Sequence, residues 1–369
     1  MAKQKNSETT SNRMVSVIIP MYNAEKYIGE CLQSLVDQTY QDFDIIIIND
    51  CSTDNSVAEA EKFKEHFKGR MKIKSLTKNS GASSLPKNTA VQMSRSKYVT
   101  FLDSDDYISK TALEELVKVA EETDAEIIHS SRFYTFNDGE DKVSVGSFQT
   151  TCHVDKPTLD NFDLAERLKK FTERGFLWWG CNKLINREFL IKNKIKFPQI
   201  GVWEDLVFVF QCVLFAKNYV RVPNVFYYYR KRQDSLSHIP KDPFDIVNTL
   251  IKVSGYIDEV MGRVEFFQKN PYWRFTFLDW HMQERMNVLS KAFYTDIKLQ
   301  PFQVSALFRQ KFEKTFPESQ MAFISYFFTV SAFQRWYIAQ TAAEKNQLQQ
   351  KLSELETDLA KNKIDSFLK

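Results

Sequence analysis

Three carboxylates crowd one short segment: Asp103, Asp105 and Asp106 in YVTFLDSDD, with Ser104 between the first two. Acids this close repel one another unless a cation or hydrogen-bond donors sit among them. The Asp-x-Asp spacing suits a hard divalent ion that keeps waters and shares its shell with phosphate oxygens. The same residues also suit a polar turn that caps the amphipathic run TALEELVKVAEE just downstream. What lies upstream decides between the two.

Short apolar runs precede this and similar polar clusters. VSVIIP (15–20), FDIIIIND (43–50), MKIKSLT (71–77), YVTFLD (98–103) and AEIIHSSRFYTF (125–136) read as strands. The first two are continuous β-branched runs, as expected of strands buried on both faces. Helical patterns lie between them, one with Ile28, Leu32, Leu35 and Val36 on a single face. Alternating strands and helices imply βαβ units and a parallel sheet, where ligands bind outside the carboxyl ends of the strands. Pro20–Asn23, Asn49–Asp50, Lys78–Gly81 and Asp103–Asp106 all fall at those ends, so four polar clusters converge on one rim.

These residues carry a resemblance. VSVIIPMYNAEKYIGECLQSLVDQTYQDFDIIIINDCSTDNS, then NSGASSLPKNTAVQMSRSKYVTFLDSDD, resembles the nucleotide-sugar domain of family 2 glycosyltransferases, from Val15 to about Ser109. A weaker continuation runs through WWGCNKLINREFL and WEDLVFVFQCVLFA to FYYYRKRQDSLSH, near residue 238. The resemblance implies a GT-A fold: a Rossmann-like mixed sheet flanked by helices, here followed by an all-α region. It implies inverting transfer of a sugar from a UDP-sugar to a hydroxyl of a glycan or lipid-linked glycan, aided by Mn²⁺ or Mg²⁺, in bacterial surface polysaccharide synthesis. Pro20, Tyr22 and Asn23 would line the nucleotide pocket, Asp50 would accept a hydrogen bond from the base, and the loop at Asn79 to Gly81 would close over the nucleoside. Asp103, Ser104 and Asp105 fit the family's DxD positions, touching ribose and metal. The family commonly has Ala-Arg-Asn where this chain has Pro86, Lys87 and Asn88. Lys87 still supplies a cation there, without the bidentate fork of Arg.

Inverting transfer needs a base for the acceptor hydroxyl. Trp203-Glu204-Asp205 matches the family's acid pair, with Asp205 the first choice and Glu204 the second. Acids in a first helical turn also favour the macrodipole by about 0.3–1 kcal/mol, a purely structural reason for the pair. Arg230 and Arg232, after the aromatic run Tyr227 to Tyr229, fit either the donor diphosphate or a solvated turn, and His238 either a metal ligand or a surface histidine. Trp178 and Trp179 suit an acceptor sugar ring or core packing equally.

Composition limits the alternatives. The 369 residues fit about two domains, and a net charge of +3 leaves no nucleic-acid footprint. Five scattered cysteines, none in CxxC spacing, fit a reduced, cytoplasmic setting. The polar start has no signal-peptide core, and the apolar runs are too short to span a bilayer. The expected divisions are a disordered leader (1–13), the catalytic domain (14–240), a helical domain (241–337) and a short coiled-coil-like helix (338–369). In the helical part, the stripe Phe323, Tyr326, Phe327, Val330 and Phe333 is helical core or a face for a partner or the inner membrane surface. Leu348, Leu352, Leu355 and Leu359 form a heptad seam that suits a homodimer or an intramolecular docking helix. A nucleotidyltransferase would need a glycine-rich phosphate loop that PMYNAEKY lacks. A non-catalytic nucleotide-sugar- or glycan-binding scaffold would not need intact DSDD and WED.

Overall fold

The computed structural model describes residues 13–140, 143–146, 153–160, 162–232, 242–296, 298–312 and 318–367. The chain divides into two units, Met1–Ile239 with Lys252–Phe277, and Pro240–Ile251 with Leu278–Lys369.

The first unit is built on an eight-stranded mixed sheet. Strands β1 (Val15–Met21), β2 (Phe43–Asn49), β3 (Met71–Ser75) and β4 (Tyr98–Phe101) run parallel, in the order β3-β2-β1-β4. Their connections carry helices α1 (Ile28–Val36), α2 (Ser56–Glu61), α3 (Lys64–Phe67) and α4 (Ser84–Met93). Val15, Val17, Ile19, Ile45 and Ile47 are fully buried, as continuous β-branched strands covered on both faces must be. The edge strand β3 instead turns Lys72 and Lys74 outward, charges that discourage pairing with another chain.

Beyond β4 the sheet ceases to be parallel. A two-residue strand β5 (Tyr107–Ile108) and helix α5 (Ala112–Thr123) lead to β6 (Ile127–Ser130) and β7 (Phe133–Asn137). The run 125–136, expected as one strand, is thus two, in different sheets. The break lies at Ser131 and Arg132, where the Ser130 hydroxyl donates to the Arg132 carbonyl at 2.9 Å and bends the chain. After β8 (Ser144–Gly146), β9 (Thr158–Asp160) and α6 (Leu164–Thr172), strand β10 (Lys183–Asn186) inserts antiparallel between β4 and β6. Helices α7 (Arg187–Lys192) and α8 (Glu204–Phe215) follow, and β11 (Tyr219–Val222) and β9 complete this sheet. Strand β12 (Tyr227–Lys231) belongs to a second sheet, in the order β5-β12-β7-β8. That small sheet lies against the acid-rich turn.

Helices α9 (Pro243–Gly262), α10 (Glu265–Lys269) and α11 (Pro271–Ser290) follow, α11 continuing as a wide turn over Lys291–Asp296. The segment Lys252–Phe277 clusters with the sheet unit, where Phe277 stacks on Phe210 at 4.5 Å between ring centres. The second unit contains α12 (Pro301–Phe312) and α13 (Glu318–Phe367). Helix α13 is continuous over 50 residues, joining the apolar stripe and the heptad seam. The side chains of Phe323, Tyr326 and Phe327 lie outside the described residues. Phe333 sits against Tyr294 and Trp336, with ring centres 5.7 Å from each. No helix among the described residues is long and apolar enough to cross a membrane.

Candidate active site

The acid turn begins where β4 stops. The Leu102 amide donates to the Ile18 carbonyl at 3.0 Å, holding the turn to the carboxyl end of β1. The Asp106 amide then closes back on the Asp103 carbonyl at 3.1 Å. Asp106 points inward and is buried, where it accepts from the Tyr227 hydroxyl (2.7 Å) and the Arg230 amide (2.8 Å). Burial, and then the charges of Asp105 and Asp103, push its carboxyl well above the usual range, while those two bonds work against the shift. Tyr227 also accepts from the Asp103 amide at 3.3 Å. Asp106 therefore fastens the turn to β12 and leaves the chemistry to its neighbours. Replacing Tyr227 by Phe removes both of its bonds and leaves Asp106 Oδ2 without its hydroxyl donor. We expect a loss of about 1–3 kcal/mol of stability, measured by denaturant unfolding.

Asp103 and Asp105 face outward, with side chains 37% and 23% exposed, and Ser104 between them is buried. Asp103 titrates at about 6. Desolvation raises it most, Asp105 and Asp205 add to the rise, and Lys87 and Arg232 counter it. Asp105 is held by Arg232, whose Nε lies 2.9 Å from Oδ2. Among the described residues no cluster of three Asp, Glu, His or Cys side chains could hold a metal ion. The donor set here is two hard carboxylates, and Asp105 adds to the rise in the proton affinity of Asp103. It fits a divalent ion that takes the remainder of its shell from water and phosphate oxygens. His238 lies outside the described residues.

Lys87 links this turn to the other acid pair. It sits in α4 one residue after Pro86, which the first helical turn tolerates because no amide is needed there. Its side chain is only 3% exposed; Nζ lies 3.2 Å from Asp205 Oδ1, 3.9 Å from Asp103 Oδ1 and 5.0 Å from the Phe197 ring centre. Burial pulls its pKa down, but Asp205, Asp103 and Glu204 together outweigh burial and hold it above the ordinary lysine value. The cation placed by resemblance among nucleotide contacts therefore sits between Asp103 and Asp205.

Asp205 and Glu204 open α8. The preceding Trp203 adopts φ 66°, a left-handed conformation rare for a bulky residue and found where surrounding structure imposes it. Glu204 accepts from the Ser83 hydroxyl at 3.2 Å; burial, then Asp205, raise its pKa. Asp205 is the one of the pair that bonds Lys87, with its side chain 27% exposed. Gly180 gives it room: a Cβ there would lie 3.1 Å from Asp205 Oδ1 and 2.9 Å from the Phe197 ring. That ring is itself fixed by stacking on Phe208 at 3.8 Å.

The expected nucleotide residues form the neighbouring part of the rim. Pro20 lies in β1, Tyr22 is 50% exposed, and Asn23 (φ 47°) accepts from the Thr53 amide at 2.8 Å. Asp50 accepts from the Ser80 amide (2.9 Å) and hydroxyl (2.8 Å), while Asn79 donates to the Asp50 carbonyl at 2.9 Å and accepts from the Gly81 amide at 2.8 Å. The glycine is required there, since its φ is +75°. Each Asp50 oxygen has a second acceptor position for a ligand N–H.

Arg230 is placed as a buttress. It donates to the Asp105 carbonyl (2.9 Å) and to Asp138 (3.0 Å), pairs with Glu30, and lies over the Phe136 and Tyr27 rings. Arg232, on Asp105 and beside Tyr27, is the nearer of the two to the outward acids. Trp178 stacks on Phe171, and Trp179 packs on Phe133 and Tyr229. The residues that sequence reasoning missed are Ser83, Asp106 as an anchor, and the Tyr227 hydroxyl. Their partners lie over 100 residues away along the chain, and no local pattern announces them.

The model of the family described as Glycosyl transferase family 2 matches residues 16–193. The chain is 30% identical over 231 residues to an uncharacterized glycosyltransferase, EpsJ, of Bacillus subtilis, covering 62% of this chain and 64% of that protein. It is 32% identical over 244 residues to the poly(ribitol-phosphate) beta-glucosyltransferase of Bacillus spizizenii, covering 62% of this chain and 35% of that one. The chain thus spans less than two thirds of the length of either relative. The crystal structure of S. aureus TarS 1-349 in complex with UDP-GlcNAc is 20% identical and matches with a TM-score of 0.62, covering 90% of this chain and 92% of that one, a likeness of fold. Residues 16–193, which carry the acid turn, thus form a glycosyl transferase family 2 domain in a chain of GT-A fold.

Proposed function

We propose that this protein transfers a sugar, with inversion, from a UDP-sugar to a hydroxyl of a glycan acceptor in the assembly of a bacterial surface polymer. The observation that carries the reading is the buried Lys87 ammonium between Asp205 and Asp103. It sets a proton acceptor and a donor-binding acid across one rim. The relatives support the donor class: the TarS structure contains UDP-GlcNAc, and the Bacillus spizizenii relative is named as a glucosyltransferase.

In this reading Tyr22, Asn23, Asp50 and the loop at Asn79 to Gly81 hold the nucleoside. Lys87 donates to Oδ1 of Asp205 and holds that carboxylate in place. Oδ2 of Asp205 then takes the proton from the acceptor hydroxyl as its oxygen attacks the anomeric carbon. The bond from that carbon to the diphosphate breaks on the opposite face, and its electron pair leaves with UDP. Asp103 and Asp105 are the residues that would hold Mn²⁺ or Mg²⁺, which when bound supplies positive charge beside the diphosphate. Arg232 neutralises Asp105 in this structure and is the residue we assign to the diphosphate when the donor binds.

Metal removal tests the acid turn. EDTA is expected to lower transfer at least about 100-fold, with recovery on adding Mn²⁺. Asp105→Asn is expected to weaken Mn²⁺ binding, measured by titration calorimetry without any donor. Metal-independent transfer at the untreated rate contradicts this assignment.

A further inference from the structure

Helix α13 carries Leu348, Leu352, Leu355 and Leu359 at spacings of four, three and four. Leu348, Leu352 and Leu355 are 66%, 57% and 67% exposed, and every residue from Tyr337 to Leu355 is exposed. A helix uncovered over so many turns draws little stability from its own hydrogen bonds, because helices in proteins are held chiefly by packing of an apolar face. Here the apolar face is a heptad seam. The repeat continues backward through Lys345 and Thr341 to Ile338, itself 65% exposed.

We propose that two copies of this chain associate through α13 as a parallel, in-register, two-stranded coiled coil from Ile338 to the end of the helix. The coil is about 45 Å long at 1.5 Å per residue. The register puts Ile338, Lys345, Leu352, Leu359 and Ser366 at a, and Thr341, Leu348, Leu355 and Asn362 at d, so the apolar part of the seam ends at Leu359. Lysine at a single a position selects the two-stranded form. There its stem lies along the seam and its ammonium reaches water, whereas a three- or four-stranded core would bury the charge.

Charge at the flanking positions selects the orientation. In the parallel register, Lys351 at g faces the e position Glu356 of the second copy, and Asp358 at g faces Lys363 at e. Twofold symmetry doubles each, giving four opposite-sign pairs with no like-sign pair among them. An antiparallel alignment of the same leucines sets Lys351 against Asp358 and Glu356 against uncharged Gln349, which halves the number of attractive pairs. The occupant that matches both the apolar seam and its charges is a second copy.

The test is molar mass by light scattering on the full chain at micromolar concentration. Wild type is expected at twice the 43.3 kDa of one chain, and the double variant Leu352→Asp, Leu355→Asp at 43.3 kDa, with UDP binding unchanged as the check on folding. Lys351→Glu is expected to raise the dimer dissociation constant about tenfold, and adding Glu356→Lys to restore it. A monomeric wild type, which would leave the seam to intramolecular docking, overturns the proposal. So does a trimer or larger assembly. Failure of Glu356→Lys to rescue Lys351→Glu overturns it as well, since an antiparallel coil predicts no rescue.

Discussion

Asp205→Asn is expected to lower sugar transfer by about 10²- to 10⁴-fold, the usual contribution of a positioned base. The substitution isolates one function. Asn retains an oxygen that can accept from Lys87 Nζ, now 3.2 Å from Oδ1, so the side chain keeps its anchor and its shape. What disappears is an atom able to take a proton from the acceptor. Nucleotide contacts at Asp50 and the loop at Asn79 to Gly81 are made by other elements, so UDP affinity by calorimetry is expected to stay within about threefold of wild type. Glu204 is a poor substitute. Its carboxylate is tied to the Ser83 hydroxyl, and it is Asp205, not Glu204, that lies within hydrogen-bond reach of Lys87. Glu204→Gln is accordingly expected to cost less than Asp205→Asn, measured as initial rates under the same conditions.

Lys87→Met is the second large effect, and it reaches both stability and activity. The methionine side chain fills a similar volume against Phe197 but leaves Asp103, Asp205 and Glu204 without their shared cation. Removing one partner of a buried ion pair costs roughly 3–5 kcal/mol. That corresponds to a fall in melting temperature on the order of 10 °C for a unit of this size. The lysine's own titration adds no variation to this loss between pH 6 and 9, whereas protonation of Asp103 at about 6 reduces it toward the acid end. A lysine whose folded pKa is raised contributes stability that is fully present below its unfolded value and is lost only as pH rises through the folded value. That window lies above the ordinary lysine pKa of about 10.4. Transfer is expected to fall as well, because Asp205 loses the donor that holds its carboxylate in place. A variant that melts and turns over like wild type would sink the bridging role of Lys87.

Much of this was readable from residue patterns. The runs at 15–20 and 43–50 had to be buried parallel strands because no polar face interrupts them, and the polar residues after each had to share a rim. The acid turn and the Glu204–Asp205 pair were visible for the same reason: charged side chains at the ends of apolar elements are conspicuous. The small sheet was not. Strand β5 has two residues, and its partner β12 lies about 120 residues downstream, so neither the pairing nor its hold on Asp106 leaves a local signal. Arg230 shows the same limit. The fold surrounds it with Glu30 and Asp138, residues distant in sequence that no local pattern announces. Lys87 was recognisable as a cation of the site, but its partner Asp205 stands 118 residues away.

The central claim, sugar transfer from a UDP donor with Asp205 as base, is tested most directly by UDP release from a panel of UDP-sugars with Mn²⁺. Wild type and Asp205→Asn are run side by side, with UDP binding confirmed for both. The expected result is turnover of one donor by wild type and loss of that turnover by at least about 100-fold in the variant. Release at the wild-type rate from a variant that binds UDP normally would contradict the account.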